Sequence, residues 1–241
     1  MESKTRTQAI EAVKKEDLLW VYDLMVRARE LDEAEIRLRR QGAFQFQLSC
    51  SGHEAIQAVS AKLLKPGKDW FYPYYRDRTF AYGLGMTPAD LFRQPLGKRT
   101  DPSSGGRQMP NHFASPELNI VSQSSPTGTQ FLQAVGTAEV TRIVRSLPPN
   151  PSLPTCSEDE LVYVSAGDGA TSQGDFYEAI SAASLNKLPV LFMIQDNGYA
   201  ISVPTEVQTP GASISRTFSD FPGLMVREID GVDVLDCFAG M

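Results

Sequence analysis

Two tripeptides, Gly167-Asp168-Gly169 and Asp196-Asn197-Gly198, carry the densest chemistry in this sequence. Asp168 offers a carboxylate and Asn197 an amide oxygen, the hard oxygen donors that Mg²⁺ prefers. Mg²⁺ seldom takes a full protein cage and completes its octahedron with water and phosphate oxygens, so two side chains and a loop carbonyl leave room for a diphosphate. Gly167 and Gly169 let the backbone come close to such oxygens, and the helix expected to follow adds donor amides. Either tripeptide alone is no more than a tight turn. Their meaning comes from where the neighbouring elements put them.

Residues 161–165 form a short apolar β-prone run, 175–186 a helical pattern and 190–194 a second apolar run. That order is a βαβ unit, which requires parallel strands and a right-handed crossover. Asp168 and Asn197 then follow consecutive strands at the carboxyl edge of the sheet, where ligands bind in open α/β folds. Upstream, apolar residues recur at helical spacing over 17–40, at Leu18, Leu19, Tyr22, Met25, Ala28, Leu31 and Ile36. Asp17 is placed to cap that helix and Gly42 to supply a left-handed residue after it. Further helices are expected over 53–64 and 129–145. Residues 43–51 read as an extended loop and 70–75 as an aromatic cluster. The Gly- and Ser-rich segment 98–110 reads as a mobile surface loop, and 148–159 as a Pro-rich connection. A strand is expected over 225–229 and a helix from 232.

The fold class is therefore α/β, a parallel sheet flanked by helices, in a single domain over 1–241. Because the sequence stops at Met241 inside a helical pattern, a chain truncated at its C-terminus is expected, which mass spectrometry against the encoded reading frame checks.

The remaining composition narrows the function classes. Lys plus Arg total 23 against 29 Asp plus Glu, a net charge of -6, which disfavours nucleic acid because phosphate contacts need clustered cations. Arg37, Arg39 and Arg40 fit a helix C-terminus, where the dipole favours positive charge. Cys50, Cys156 and Cys237 form no CxxC pair, and with only His53 and His112 a structural zinc site is not expected. Dispersed cysteines suit a reducing compartment, residues 1–16 are too polar for a secretory signal, and no apolar run has membrane-spanning length. A cytoplasmic location is expected. A nicotinamide dehydrogenase is disfavoured because no GxGxxG follows a strand of a βαβ unit.

The stretch GDGATSQGDFYEAISAASLNKLPVLFMIQDNGYAIS resembles the thiamine diphosphate motif of the α subunits of 2-oxo acid dehydrogenase E1 components, the branched-chain and pyruvate dehydrogenase family. The resemblance runs along almost the whole chain, through MVRARELDE, RQGAF, YYRDR, GRQMPNHF and SSPTGTQFLQAVG. The GDG motif with its distant asparagine is common to thiamine enzymes, whereas GRQMPNHF and SSPTGTQFLQAVG are narrower and point to the E1 α branch.

Residue by residue, the resemblance implies a thiamine diphosphate-binding fold with Asp168, Asn197 and the Tyr199 carbonyl on Mg²⁺. It implies Gly167, Gly169 and Ala170 beside the diphosphate, Tyr75 and Arg76 as further cofactor contacts, and Ser125 with Thr127 near the aminopyrimidine. In some relatives the same segment holds K⁺, which here corresponds to Ser124, Pro126, Thr129 and Gln130. Gln195 occupies a diphosphate-contacting position where some relatives carry arginine; Asp196 replaces a common asparagine and Tyr74 a common glutamine. Phe44, Phe46, Gln47 and Leu48 match a segment near the substrate pocket. A histidine-bearing loop that joins the cofactor site in relatives lies further toward the C-terminus, so the chain as given is expected not to complete the site.

The implied activity is oxidative decarboxylation of a 2-oxo acid, branched-chain preferred, with acyl transfer to the lipoyl group of E2. The implied assembly is a heterotetramer with a β-type subunit, separate or fused, that supplies the activating glutamate. No principal acid or base is expected in this chain, and alone it is expected to be inactive. Pyruvate or acetoin dehydrogenase subunits share the motifs, and a non-catalytic scaffold or inactive fragment is the alternative of another class.

Overall fold

The computed structural model describes residues 2–153 and 156–241, with residues 2–5 described by their backbone alone. In chain order the regular elements are α1 Glu2–Glu11, α2 Lys15–Arg40, α3 Glu54–Leu63, β1 Trp70–Tyr72, α4 Arg78–Leu84, α5 Pro88–Arg93 and α6 Thr129–Ser146. There follow β2 Val162–Gly167, α7 Gly174–Asn186, β3 Val190–Gln195, β4 Tyr199–Ala200, β5 Val203–Pro204, α8 Thr205–Gln208, α9 Ile214–Phe218 and α10 Val234–Gly240. They group into two compact units. The first comprises residues 1–66, 75–118 and 227–241, and the second residues 67–74 and 119–226.

The second unit holds the parallel sheet, in the order β1-β2-β3. The register runs from Trp70↔Val162 to Tyr72↔Val164 on one side of β2, and from Val162↔Val190 to Gly167↔Gln195 on the other. The period-2 alternation of a strand sends Val162, Val164 and Ala166 to one face. That face packs against Phe131, Ala134, Val135 and Ala138 of α6 and Phe176, Ala179, Ile180 and Ala183 of α7. Within this core the Phe131 and Phe176 rings are 4.8 Å apart, and Phe218 meets Phe176 edge-on at 5.3 Å. Such tilted pairs add about 0.5–1.5 kcal/mol each beyond the area they bury. The intervening residues Tyr163 and Ser165 are fully buried as well, so β2 is covered on both faces, as parallel strands require.

Here the α/β reading holds: a parallel sheet with helices packed on it, and a βαβ unit at the expected residues. The aromatic cluster proves to include a strand, β1, too short to show a period. Residues 225–229 form no strand; no ladder partner receives them among the described residues. Of the Pro-rich connection over 148–159, residues 154 and 155 lie outside the described residues.

In the first unit, Gly42 takes the left-handed conformation (φ 78°) just past α2, as a chain leaving a helix often demands. Asp17 falls in the first turn of α2 rather than at its cap, which is Lys14. The loop over 98–110 has no regular structure but is tied to itself. Asp101, 4% exposed, accepts from the amides of Ser103, Ser104 and Gly106 and from the Ser104 hydroxyl.

At the centre of this unit Arg78 bridges two carboxylates of α2. Its Nη1 donates to Asp32 at 2.8 Å and its Nη2 to Glu35, with all three residues about 1% exposed. Burial pushes the Glu35 carboxyl up to about 7 against the pull of Arg78, with the charge of Asp32 adding to the push. Asn111 Oδ1 accepts a further bond from Arg78 Nη2 at 3.3 Å.

Candidate functional site

The site begins with the strand register. Because Gly167 and Gln195 are paired at the ends of β2 and β3, Asp168 and the Asp196-Asn197 pair leave the same sheet edge side by side. Asp168 opens a 3₁₀ turn over Asp168–Ser172 that separates β2 from α7. The residue is 1% exposed. Its backbone carbonyl accepts from Thr171 Oγ1 at 2.7 Å and from Gln208 Nε2 of α8 at 2.9 Å, which fixes the turn that presents the carboxylate.

Beyond β3 the chain makes an Asx-type turn. Asp196 Oδ1 accepts from the Gly198 amide at 2.8 Å and Asn197 Oδ1 from the Tyr199 amide at 3.2 Å, while Gly198 takes φ 82°. An amide oxygen has two lone pairs, so Asn197 Oδ1 keeps one for another partner. The β4–β5 hairpin follows, turning at Ile201 and Ser202. Ile201 sits at φ 59°, a conformation a β-branched residue rarely accepts. Since Thr205 N donates to Gly198 O, the Gly198–Thr205 level is a bonded rung. Tyr199, one residue on and opposite Pro204, is then on a non-bonded rung, where a carbonyl is directed away from the partner strand. Carboxylate, amide oxygen and outward carbonyl are a donor set of the kind Mg²⁺ takes. Among the described residues no group of three or more His, Cys, Asp or Glu could hold a metal.

Gly169 is tightly enclosed. A Cβ built on it would lie 2.7 Å from the Ala200 Cβ, closer than relaxed side chains approach, and in ordinary contact with the Ala200 Cα at 3.5 Å. At Gly167 the nearest atom would be Tyr74 Cε2 at 3.7 Å, an ordinary contact. Gly169→Ala is therefore expected to push the hairpin off the turn. It should cost about 1–3 kcal/mol of stability, the range for overpacking, and weaken metal-dependent ligand binding. Ala200→Gly in the same chain should restore both. Thermal melts and ligand titrations of the single and double variants check it; a double variant no better than Gly169→Ala rejects the clash as the cause.

Ala170 and Gln195 are buried, at 7% and 5%. The segment before α6 is more open: Ser125, Pro126 and Thr127 are exposed, and Ser124 and Thr129 half-buried. Thr129 Oγ1 donates to the Pro126 carbonyl at 3.0 Å, and Gln130 Nε2 reaches the Ser165 carbonyl at 3.2 Å. In the first unit, the Arg76 guanidinium lies 5.3 Å over the Tyr75 ring and donates to the Ser49 carbonyl at 2.8 Å. Gln47 turns its amide to Asp32 at 3.1 Å, Phe44 is buried and Phe46 is 41% exposed. Sequence reasoning missed Thr171, Gln208 and Ala200. Thr171, three residues past Asp168, could have been read as a turn hydroxyl; Gln208 and Ala200 carry no local signal.

The sequence matches the model of the Dehydrogenase E1 component family over residues 22–240. The chain belongs to that family. It is 38% identical over 234 residues to the 2-oxoisovalerate dehydrogenase subunit alpha of Bacillus subtilis, covering 96% of this chain and 67% of that protein. It is 34% identical over 226 residues to the 3-methyl-2-oxobutanoate dehydrogenase subunit alpha of Mycobacterium tuberculosis, covering 94% and 55%. It is 33% identical over 224 residues to the pyruvate dehydrogenase E1 component subunit alpha of Staphylococcus aureus, covering 91% and 53%. The chain thus spans between about half and two thirds of the length of these relatives. Dehydrogenase E1 components are oxidoreductases that use thiamine diphosphate in general, and their alpha subunits work with a beta subunit and an E2 component. No helix among the described residues is long and apolar enough to cross a membrane.

Proposed function

We propose that this chain serves as the α-type E1 subunit in oxidative decarboxylation of a branched-chain 2-oxo acid, and that it holds the diphosphate end of thiamine diphosphate through Mg²⁺. The observation that carries this is the paired register of β2 and β3, which sets Asp168 and Asn197 at one sheet edge. In this reading Asp168, Asn197 and the Tyr199 carbonyl would hold Mg²⁺, a cation that also takes phosphate oxygens and water. Gly167, Gly169, Ala170 and Gln195 line the diphosphate, and Ser125 and Thr127 lie toward the aminopyrimidine. Tyr75 and Arg76, which belong to the first unit, are assigned to the cofactor by the resemblance; a guanidinium suits phosphate because it gives paired charge-assisted bonds. A K⁺ ion at Ser124, Pro126, Thr129 and Gln130 would replace the bond from the Thr129 hydroxyl to the Pro126 carbonyl.

When bound, thiamine diphosphate supplies the carbon nucleophile and the electron sink for decarboxylation. This chain's residues bind and orient it and set the field around its phosphates. The activating carboxylate comes from a β-type subunit, with which this chain forms a two-fold α₂β₂ heterotetramer; the lipoyl acceptor belongs to a separate E2 component, and the expected location is cytoplasmic. The branched-chain preference is supported by the branched 2-oxo acids after which the Bacillus and Mycobacterium relatives are named, and pyruvate is the second reading, after the Staphylococcus relative.

The test is calorimetric titration of thiamine diphosphate with Mg²⁺ into the full-length chain assembled with its β-type partner. It is followed by decarboxylation assays on 3-methyl-2-oxobutanoate and pyruvate with an artificial electron acceptor. Saturable Mg²⁺-dependent binding and higher kcat/KM for the branched acid are expected. Higher kcat/KM for pyruvate moves the substrate to the second reading, and no binding by a folded assembly rejects the catalytic role in favour of a scaffold.

A further inference from the structure

The loop over 43–51 has no regular secondary structure; backbone bonds reach its ends, from Ala43 N to Leu38 O and from His53 N to Cys50 O, and Asn111 Nδ2 donates to the Leu48 carbonyl at 3.4 Å. Around Ser49 the chain is gathered on one buried carboxylate. Asp32 Oδ2 accepts from the Ser49 hydroxyl at 2.5 Å, and Oδ1 accepts from the Cys50 amide at 3.3 Å and from Gln47 Nε2 at 3.1 Å. These bonds take hold of Ser49 itself and of the chain on both sides of it, which fixes the direction of the Ser49 carbonyl. That carbonyl accepts from Arg76 Nη1 at 2.8 Å. Asp32 is itself immobile, because Arg78, two residues beyond Arg76, donates to its Oδ1 at 2.8 Å.

We infer that Asp32 is a positioning residue for Arg76, acting through Ser49, so that the guanidinium is held ready for a diphosphate. The inference rests on the reading of Arg76 as a phosphate contact. A guanidinium carries five donors in a rigid fork. With one donor committed to Ser49 and the plane lying over Tyr75, the direction of the others is set. An unanchored arginine loses rotamer freedom when it takes up an anion, and ordering it beforehand removes that cost from the binding step. The carboxylate never touches the cofactor; its effect is on affinity.

The experiment is a double-mutant cycle on the full-length chain assembled with its β-type partner, titrated calorimetrically with thiamine diphosphate in Mg²⁺ and, separately, with inorganic pyrophosphate. Ser49→Ala leaves the Arg78 bond and the Cys50 bond to Asp32 in place and removes both bonds of the hydroxyl, the one it donates to Asp32 and the one it accepts from the exposed Ser51 amide. It is expected to weaken both ligands about tenfold, the scale of one bond to a charged group. Arg76→Ala is expected to weaken them further, and Ser49→Ala added to Arg76→Ala to cost nothing more, since the two act through one contact. Additive losses overturn the positioning role, as does full affinity in Ser49→Ala beside a weakened Arg76→Ala. Full affinity in Arg76→Ala removes the phosphate reading of that residue, and this inference with it. If Ser49→Ala melts early, Ser49→Thr, which keeps the hydroxyl, is read beside it: parent affinity in Ser49→Thr with weakened binding in Ser49→Ala supports the positioning role, and equal losses in the two overturn it.

Discussion

Replacing Asp168 by alanine is expected to abolish Mg²⁺-dependent binding of thiamine diphosphate while leaving the chain folded. The two bonds that secure the turn, from Thr171 Oγ1 and Gln208 Nε2, go to the Asp168 backbone carbonyl and survive the substitution. What is lost is the only carboxylate in the proposed ligand set, and a dication held by an amide oxygen and a carbonyl alone keeps little affinity. Loss of one charged contact on the scale of about 3 kcal/mol corresponds to about a hundredfold in affinity, and loss of a metal ligand exceeds it. Asp168→Asn separates charge from shape. It fills the same buried volume with a neutral oxygen donor, and its affinity is expected to fall between parent and Asp168→Ala. Calorimetry with and without Mg²⁺, together with a thermal melt, reads both quantities. Unchanged binding in Asp168→Ala would show that the GDG segment is only a turn and would take the metal site away from this edge of the sheet.

The parts of this site that were legible in the sequence are those encoded locally. Val162–Gly167, Gly174–Asn186 and Val190–Gln195 are recognisable because apolar runs and a helical period occur within consecutive residues, and the two tripeptides follow at strand ends. The three residues of β1 gave no such signal, since a strand of that length shows no period and its partner β2 is far along the chain.

Helix α2 shows the opposite failure. The apolar stripe suggested a buried face including Leu19 and Tyr22, yet these are 58% and 67% exposed, and the buried face is Val21, Leu24, Ala28, Asp32 and Glu35. A hydropathy pattern counts two carboxylates against a core face. It cannot see that Arg78, at the start of another helix, supplies their counter-charge. Ala200 over Gly169 and Gln208 on Asp168 belong to the same class, contacts made by tertiary approach and not by spacing.

That buried triad sets the largest stability effect expected in the chain. Arg78→Ala removes the cation that contacts both Asp32 and Glu35, each 1% exposed, and leaves two carboxylates in the interior without that direct counter-charge. Breaking a buried ion pair from one side costs about 3–5 kcal/mol, a large share of the roughly 5–15 kcal/mol that holds a typical protein folded. The loss should depend on pH with a definite sign. Burial holds the Glu35 carboxyl up to about 7, above its usual 4.5, so between these values the folded protein keeps a proton the unfolded chain has shed. The stability this lends is present below 4.5 and lost as pH rises through about 7. Without Arg78 the downward pull on that carboxyl is gone. The deficit of Arg78→Ala against the parent should then be greatest above pH 7 and shrink as acid neutralises Glu35. Swapping the whole triad for apolar residues, often neutral for isolated buried pairs, should not fully restore the parent here. Asp32 also receives the Cys50 amide and the Ser49 hydroxyl, which would be left with no acceptor. Denaturant melts of parent, Arg78→Ala and the apolar triple variant at two pH values decide it, and a pH-independent deficit for Arg78→Ala would place its cost in lost packing rather than in buried charge.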